Sequence, residues 1–379
     1  VSASREVAGG VALNGARYRV VRVTSPEQAQ ALQDAAASRH GLSVSPVLVG
    51  WSTALVDPPQ VLPNDPLVDD QYAILNNGQS VGGVPGVAGA DVQIARAWSV
   101  QRGSARVSVA VIDSGVSATH PDLVTKLDDG FNVTGGDTGD TDAVLNSHGT
   151  HIAGIVAAAT NNGEGVVGVS WGARIVPVKA ANPLGFTSDV WLAEGLIWAA
   201  DNGVDVAVMS FGLSAQSDVL ADAVRYAYDR GVVVVASAGN SGLPGVLYPA
   251  AYPEVIAVGA TDNSDSLAAF SNTGPEVEFV APGVDILSTW HTMFEPNTYA
   301  YESGTSVSTP IVAGVVALLR SASPEITPDE IRLVLAQTSR DLGNPGRDVE
   351  FGFGRVNAHR ALLEVIGQPW CYADVNGDG

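Results

Sequence analysis

The sequence predicts an α/β protein: a doubly wound, mainly parallel sheet flanked by helices, with a small β-α-β unit in front. Three observations predict it. Five Val-rich runs recur between residues 106 and 260. Each is nearly continuous in apolar residues, as strands covered on both faces are. Helical patterns lie between them, and strand alternating with helix is the signature of a wound sheet.

Residues 17–23, RYRVVRV, alternate like a strand. SPEQAQALQDAAASRHG follows, with Ser as cap, Pro next, good helix formers to His40 and Gly41 as stop. SVSPVLVG makes a second strand. This β-α-β unit buries little alone and must lean on something larger. The Pro-rich residues 56–66 read as an exposed linker.

Strands are expected at 106–113, 174–180, 204–210, 232–240 and 255–260. Helices are expected at 187–203 and 218–231, both ended by Gly. The last helix is expected at 356–367. The chain then ends QPWCYADVNGDG, where Asp374, Asn376 and Asp378 form the first half of a D-x-N-x-D-G calcium loop without its downstream carboxylate. This reads as the stub of a further module. The expected domains are 1–61, 62–367 and 368–379.

With 379 residues the chain can bury one deep core. It carries 19 basic and 40 acidic residues, a net charge of −21, and only Lys126 and Lys179 among lysines. That balance argues against nucleic acid and anionic membranes as partners. It fits a soluble secreted protein, though solubility alone explains it equally well. No apolar run reaches the length of a membrane span. The lone cysteine, Cys371, allows no internal disulfide, so packing or metal must supply stability. The opening VSASREVAGG has no basic segment followed by an apolar one, so any secretion leader is expected outside these residues.

Three polar stretches stand at element ends. VAVIDSGV puts Asp113 at the carboxyl end of a strand, NSHGTHIAG puts His148 at a helix start, and SGTSVSTP puts Ser306 at another. Carboxylate, imidazole and hydroxyl are the parts of a nucleophilic triad. A helix start adds N–H groups where an oxyanion would form. In SAGNSG, Asn240 offers an amide to the same oxyanion. Taken singly, a Ser at a helix start is a cap; only the company of the other three favours a nucleophile. His151 stands one turn from His148, but no HExxH glutamate accompanies the pair, so it reads as a packed structural residue, as does His120.

VIDSGV, THPDL, NSHGTHIAGIVAA, MSFG, ASAGNSG, YPAAYPEVIAVGA and GTSVSTPIVAG together resemble the subtilisin-like serine proteases, in the family's order Asp, His, Ser. The resemblance covers residues 63–367. It implies that Asp113 orients, His148 acts as general base and acid, Ser306 attacks, and the Asn240 side chain with the Ser306 N–H forms the oxyanion hole. The GxSxG elbow of α/β-hydrolase esterases is absent around Ser306. The family more often has Met after the nucleophile; here it is Val307. Ser308 stands where Ala is common.

The resemblance further implies peptide-binding strands at Ser210, Phe211, Gly212 and at 182–185, including Gly185. It implies an S1 pocket walled by 210–212 and 236–239, with Ala238 and Gly239 in the wall and Leu247 near the floor. No acid lines these stretches, so uncharged apolar or aromatic P1 residues are expected, in a pocket that Leu247 makes shallower. It implies structural Ca²⁺ held by Asp65, Asp122, the Asn162 side chain and the carbonyls of Ala159, Glu164 and Val166, an all-oxygen set. A weaker site would use carbonyls of Ala250, Tyr252 and Val255. Residues 16–49 resemble the second half of a propeptide, truncated at its start. The expected partners are protein and peptide substrates and the chain's own propeptide. A secreted, extracellular monomer is expected.

Overall fold

The computed structural model describes residues 60–135 and 147–367, together with the backbone of two-residue strands Ala12–Leu13 and Ala16–Arg17. The chain divides into two compact units, Val1–Val56 and Asp57–Gly379. In the first, the two short strands pair antiparallel. The rest of the expected β-α-β unit, residues 136–146, and the terminal stretch with Cys371, Asp374, Asn376 and Asp378 lie outside the described residues. At the front of the second unit, Val61 donates its N–H to Ala95 O at 2.8 Å and packs against the core.

The second unit is built on seven strands: β1 (Ser108–Asp113), β2 (Phe131–Asn132), β3 (Arg174–Lys179), β4 (Val206–Met209), β5 (Val233–Ser237), β6 (Ile256–Thr261) and β7 (Phe279–Pro282). Their order is β7-β6-β5-β4-β1-β3-β2, and every pair is parallel. Strand β1 lies between β3 and β4, so the chain winds away from it in both directions. The crevice beyond its carboxyl end is a switch point, where such sheets bind ligands. An antiparallel hairpin, β8 (Ile286–Trp290) and β9 (Thr298–Glu302), follows.

The strand alternation sorts side chains into two cores. Val109, Val111, Ile175, Val206, Val208, Val235 and Val258 pack on one face with helices α1 (His148–Ala157) and α4 (Thr305–Ala322). Ala110, Ile112, Val178, Met209, Val234 and Ala257 pack on the other with α2 (Asp189–Asp201) and α3 (Asp218–Asp229). This is the doubly wound arrangement the pattern predicts. Gly203 and Gly231 stop α2 and α3 at φ +71° and +82°, as expected from sequence. Among the described residues, α4 is long and apolar enough to cross a membrane, and 83% of that stretch is buried in this core.

Strands β2 and β7, the β8–β9 hairpin and α5 (Pro328–Thr338) are not evident in the sequence pattern. Helix α5 has a full capping box, Thr327 with Glu330, and Pro at its start. Helix α6 (Ala358–Val365) closes the unit, capped by Asn357.

Candidate active site

Asp113 ends β1 and is 1% exposed. Its Oδ1 accepts the N–H of Ser114 at 2.7 Å. His148 opens α1, and its Nδ1 lies 2.8 Å from Asp113 Oδ1 and 3.0 Å from Oδ2. A carboxylate accepts, so the ring proton sits on Nδ1 and Nε2 is the basic nitrogen. The helix start is pressed onto the strand end: Gly149 N–H donates to Ser114 Oγ at 2.9 Å, and a Cβ on Gly149 would collide with Gly115 O. The ring of Phe211 lies 6.3 Å from that of His148.

Ser306 is the second residue of α4, and the cap position is Gly304, which offers no side chain. Thr305 does not cap either. Its hydroxyl and its N–H each reach Asn240 Oδ1 at 2.8 Å, and its oxygen accepts from Gly239 N–H at 3.1 Å. With Oδ1 engaged, Asn240 presents Nδ2. A Cβ on Gly304 would lie 2.9 Å from Ser306 Oγ and 3.2 Å from Asn240 Nδ2, so hydroxyl and amide border the same gap. Any side chain at 304 would fill it. In the sequence Thr305 reads only as a possible cap; its place beside Ser306 in SGTS is the available signal of its role.

A sequence profile described as the subtilase family matches residues 104–354. The chain belongs to the subtilase family. It is 45% identical over 268 residues to a thermophilic serine proteinase of Bacillus sp. (strain AK1), covering 70% of this chain and 64% of that one. It is 40% identical over 267 residues to minor extracellular protease Epr of Bacillus subtilis (strain 168), covering 70% and 40%. The matched stretch thus spans less than two-thirds of these relatives' length. Among solved structures, a protease from Pseudoalteromonas arctica PAMC 21717 superposes with a TM-score of 0.70 at 32% identity, covering 80% of this chain and 99% of that one.

Around the crevice of this subtilase, Leu247 reaches between Gly212 and Gly239. A Cβ on Gly212 would collide with its Cδ1, and one on Gly239 would come within 3.0 Å of it. Ala238 is fully buried, and its carbonyl accepts Leu247 N–H at 3.0 Å. Asn272 holds the turn after Asn240, accepting from Ser241 N–H at 2.8 Å and Oγ at 2.6 Å. Gly185 corrects an expectation. Residues 182–186 form a turn closed on Asn182, whose Oδ1 accepts the N–H groups of Leu184 and Phe186. Gly185 sits at φ +82° with its N–H given to Asn182 O at 2.9 Å, so it is not an extended strand residue. The turn leaves Leu184 and Phe186 exposed.

Asp65 and Asp122 are 2% and 0% exposed. Burial raises the pKa of both above the usual carboxylate value. Asp65 accepts from the N–H groups of Asn161 at 2.7 Å and Asn162 at 3.4 Å. Asp122 accepts from Asn162 Nδ2 at 2.9 Å and Val166 N–H at 3.0 Å, and its carbonyl accepts Ala159 N–H at 2.7 Å. The N–H of Glu164 donates to Asn162 Oδ1 at 3.0 Å. The separate segments named from sequence therefore meet. No Lys or Arg pairs with either carboxylate among the described residues. Two buried acids without a basic partner suit a hard divalent cation, but the contacts they make here are to N–H donors, and Asn162 turns its Nδ2 rather than its oxygen towards Asp122. Side-chain acids alone do not suffice: no group of three His, Cys, Asp or Glu forms a metal cluster among the described residues. Ala250, Tyr252 and Val255 lie on two consecutive turns after the cis Tyr248–Pro249 bond, and Tyr252 O accepts Val255 N–H at 3.0 Å.

His120 and His151 act as struts. His151 Nε2 lies 3.1 Å from the carbonyls of both Ile286 and Ala300, tying the β8–β9 hairpin to α1. His120 Nδ1 accepts from Asp122 N–H at 3.2 Å while Nε2 donates to Thr298 O at 2.9 Å.

Proposed function

We propose that this chain is a secreted serine endopeptidase acting on protein and peptide substrates. The observation that carries it is the shared gap beside Gly304, bordered by Ser306 Oγ and Asn240 Nδ2, with His148 fixed on Asp113. Ser306 Oγ attacks the scissile carbonyl and passes its proton to His148 Nε2. Asp113 holds the tautomer and stabilises the imidazolium. Asn240 Nδ2 and the Ser306 N–H at the helix start take the oxyanion. His148 then protonates the leaving amine, and water resolves the acyl-enzyme by the reverse path.

The substrate backbone adds along Ser210, Phe211 and Gly212 as an extra strand. Its P1 side chain, apolar or aromatic and uncharged, enters between 210–212 and 238–239, where Leu247 limits depth. Asp65, Asp122, Asn162, Ala159, Glu164 and Val166 hold Ca²⁺, and Ala250, Tyr252 and Val255 a weaker ion. When bound, Ca²⁺ supplies structural cross-linking of separate segments. Residues 1–61 are a partial propeptide, and 62–367 the catalytic domain of a monomer. The name of the Bacillus subtilis relative supports secretion.

Hydrolysis of a neutral peptide amide, compared between this chain and its Ser306→Ala variant, tests the reading. Amide turnover lost in the variant is expected. Cleavage of short-chain esters with no amide turnover would point to an esterase, and folded protein with neither activity to a peptide-binding relative.

A further inference from the structure

Pro310 lies inside α4. Proline has no N–H, so the helical bond from position 310 back to the carbonyl of Ser306 cannot form. That carbonyl belongs to the nucleophile proposed above, and the inference rests on that reading. In place of the missing bond, Ser306 O accepts the hydroxyl of Ser210 at 2.9 Å. Ser210 follows β4, stands 96 residues away in sequence and is 8% exposed. One residue earlier, Thr305 O takes its side-chain donors from its own helix, Ser308 Oγ at 3.0 Å and Thr309 Oγ1 at 2.6 Å. The Ser306 carbonyl instead takes one from the sheet.

We propose that Ser210 is a positioning residue for catalysis. Its hydroxyl pins the carbonyl that Pro310 releases, and so fixes the backbone from which Ser306 Oγ and N–H both project. The same residue belongs to the strand end that receives the substrate backbone. Nucleophile and substrate are thereby referred to one point on β4. Ser210 Oγ touches no reacting atom; it acts through the Ser306 main chain. Removing it leaves a part-buried acceptor unpaired, which the first turn of α4 relieves by shifting. Attack geometry is sensitive to such shifts, since a displacement near 1 Å costs on the order of a hundredfold in rate.

A purely structural hydroxyl would change stability without changing the chemical step. The two roles separate in Ser210→Ala and in Ser210→Ala combined with Pro310→Ala, where the restored backbone N–H at position 310 supplies the helical bond to Ser306 O. The full chain and both variants are compared for the rate of labelling by a serine-directed fluorophosphonate, for kcat and KM on a neutral peptide amide, and for Tm. In Ser210→Ala, labelling rate and kcat are expected to fall together by roughly tenfold or more, with KM within about twofold of the parent. The double variant is expected to recover most of that loss. Unchanged labelling and kcat in Ser210→Ala, a change confined to KM, or a folded double variant no faster than the single one would each overturn the proposal. A parent chain that fails to label at Ser306 would instead overturn the nucleophile reading, and this inference with it.

Discussion

Asn240 Oδ1 accepts both the N–H and the hydroxyl of Thr305, each at 2.8 Å. A side-chain amide has one acceptor end and one donor end. Two donors from Thr305 settle which is which, and the donor end faces the gap beside Ser306. Asn240 itself is exposed, so packing alone would not hold it. The orientation of the proposed oxyanion donor is thus set by the residue just before the proposed nucleophile.

Asn240→Ala is expected to lower kcat about a hundred- to a thousandfold with little change in KM, a range itself measured on a member of this family. Thr305→Val keeps the backbone bond and loses the hydroxyl, so its loss should be smaller, on the order of tenfold. Because Thr305 works through Asn240, the double variant should be no slower than Asn240→Ala alone. Additive losses in that cycle would separate the two residues.

Leu247 stands between Gly212 and Gly239. Leu247→Gly is expected to raise kcat/KM for P1 Phe relative to P1 Ala by roughly tenfold or more, since each methylene of pocket depth is worth about 1–3 kcal/mol. Matched substrates differing only at P1 give the ratio. An unchanged ratio would place the P1 side chain elsewhere.

Burial lowers the pKa of His151 to about 4, and the positive potential of His148 adds to the effect. Its Nδ1 is buried with no partner among the described residues. The folded state keeps this ring neutral while the unfolded chain takes up a proton below pH 6.5. Stability is therefore flat above pH 6.5, falls as pH drops from 6.5 to about 4, and levels below that. The loss from this residue is about 3 kcal/mol across the window, at 1.36 kcal/mol per pH unit. His359, lowered to about 4 chiefly by burial, titrates in the same range. Urea melts of the Ser306→Ala protein between pH 7 and 4 should show this slope, and His151→Asn should reduce it while lowering stability at pH 7. An equal slope in both proteins would exonerate His151.

Asp122→Asn removes a buried carboxylate from the proposed calcium site. In the Ser306→Ala background, a chelator should lower Tm of the parent markedly, since a cation at a thousand times its Kd stabilises by about 4 kcal/mol. The variant should start lower and respond little to the chelator. Equal chelator shifts in both would move the cation away from Asp122.

Val307 is 1% exposed and follows Ser306, the proposed nucleophile. With no thioether at that position, activity should survive dilute peroxide that inactivates a Val307→Met variant. Equal inactivation rates would show that another group is the target.

Five of the sheet's seven strands, β1 and β3 to β6, were legible because they are buried on both faces and so read as unbroken Val runs, each overlapping its expected span; β2 and β7 were not. The β8–β9 hairpin was not: Ser288, Thr289 and Tyr299 interrupt any apolar pattern. Ser288 and Thr289 are placed by tertiary bonds, Ser288 Oγ to His151 O at 2.8 Å and Thr289 Oγ1 to Thr150 O at 2.7 Å. Helix α5 carries a readable capping box that the apolar pattern around it does not advertise. At the site, Asp113, His148, Ser306 and Asn240 stand out because each is a polar residue at the end of an apolar element. Ser210 and Thr305 are equally polar, but their roles depend on where one hydroxyl points across the crevice, and no local pattern encodes that. Gly185 departs from expectation because the turn there is closed by the side chain of Asn182, a bond that strand-like spacing does not exclude.

The most direct measurement is to react the folded chain with a serine-directed fluorophosphonate and locate the adduct by peptide mass analysis, beside Ser306→Ala. One adduct per chain, on Ser306 and absent from the variant, is the predicted result. Labelling on another residue, or none on a chain shown to be folded with its cleft open, would contradict the assignment of Ser306 as the nucleophile.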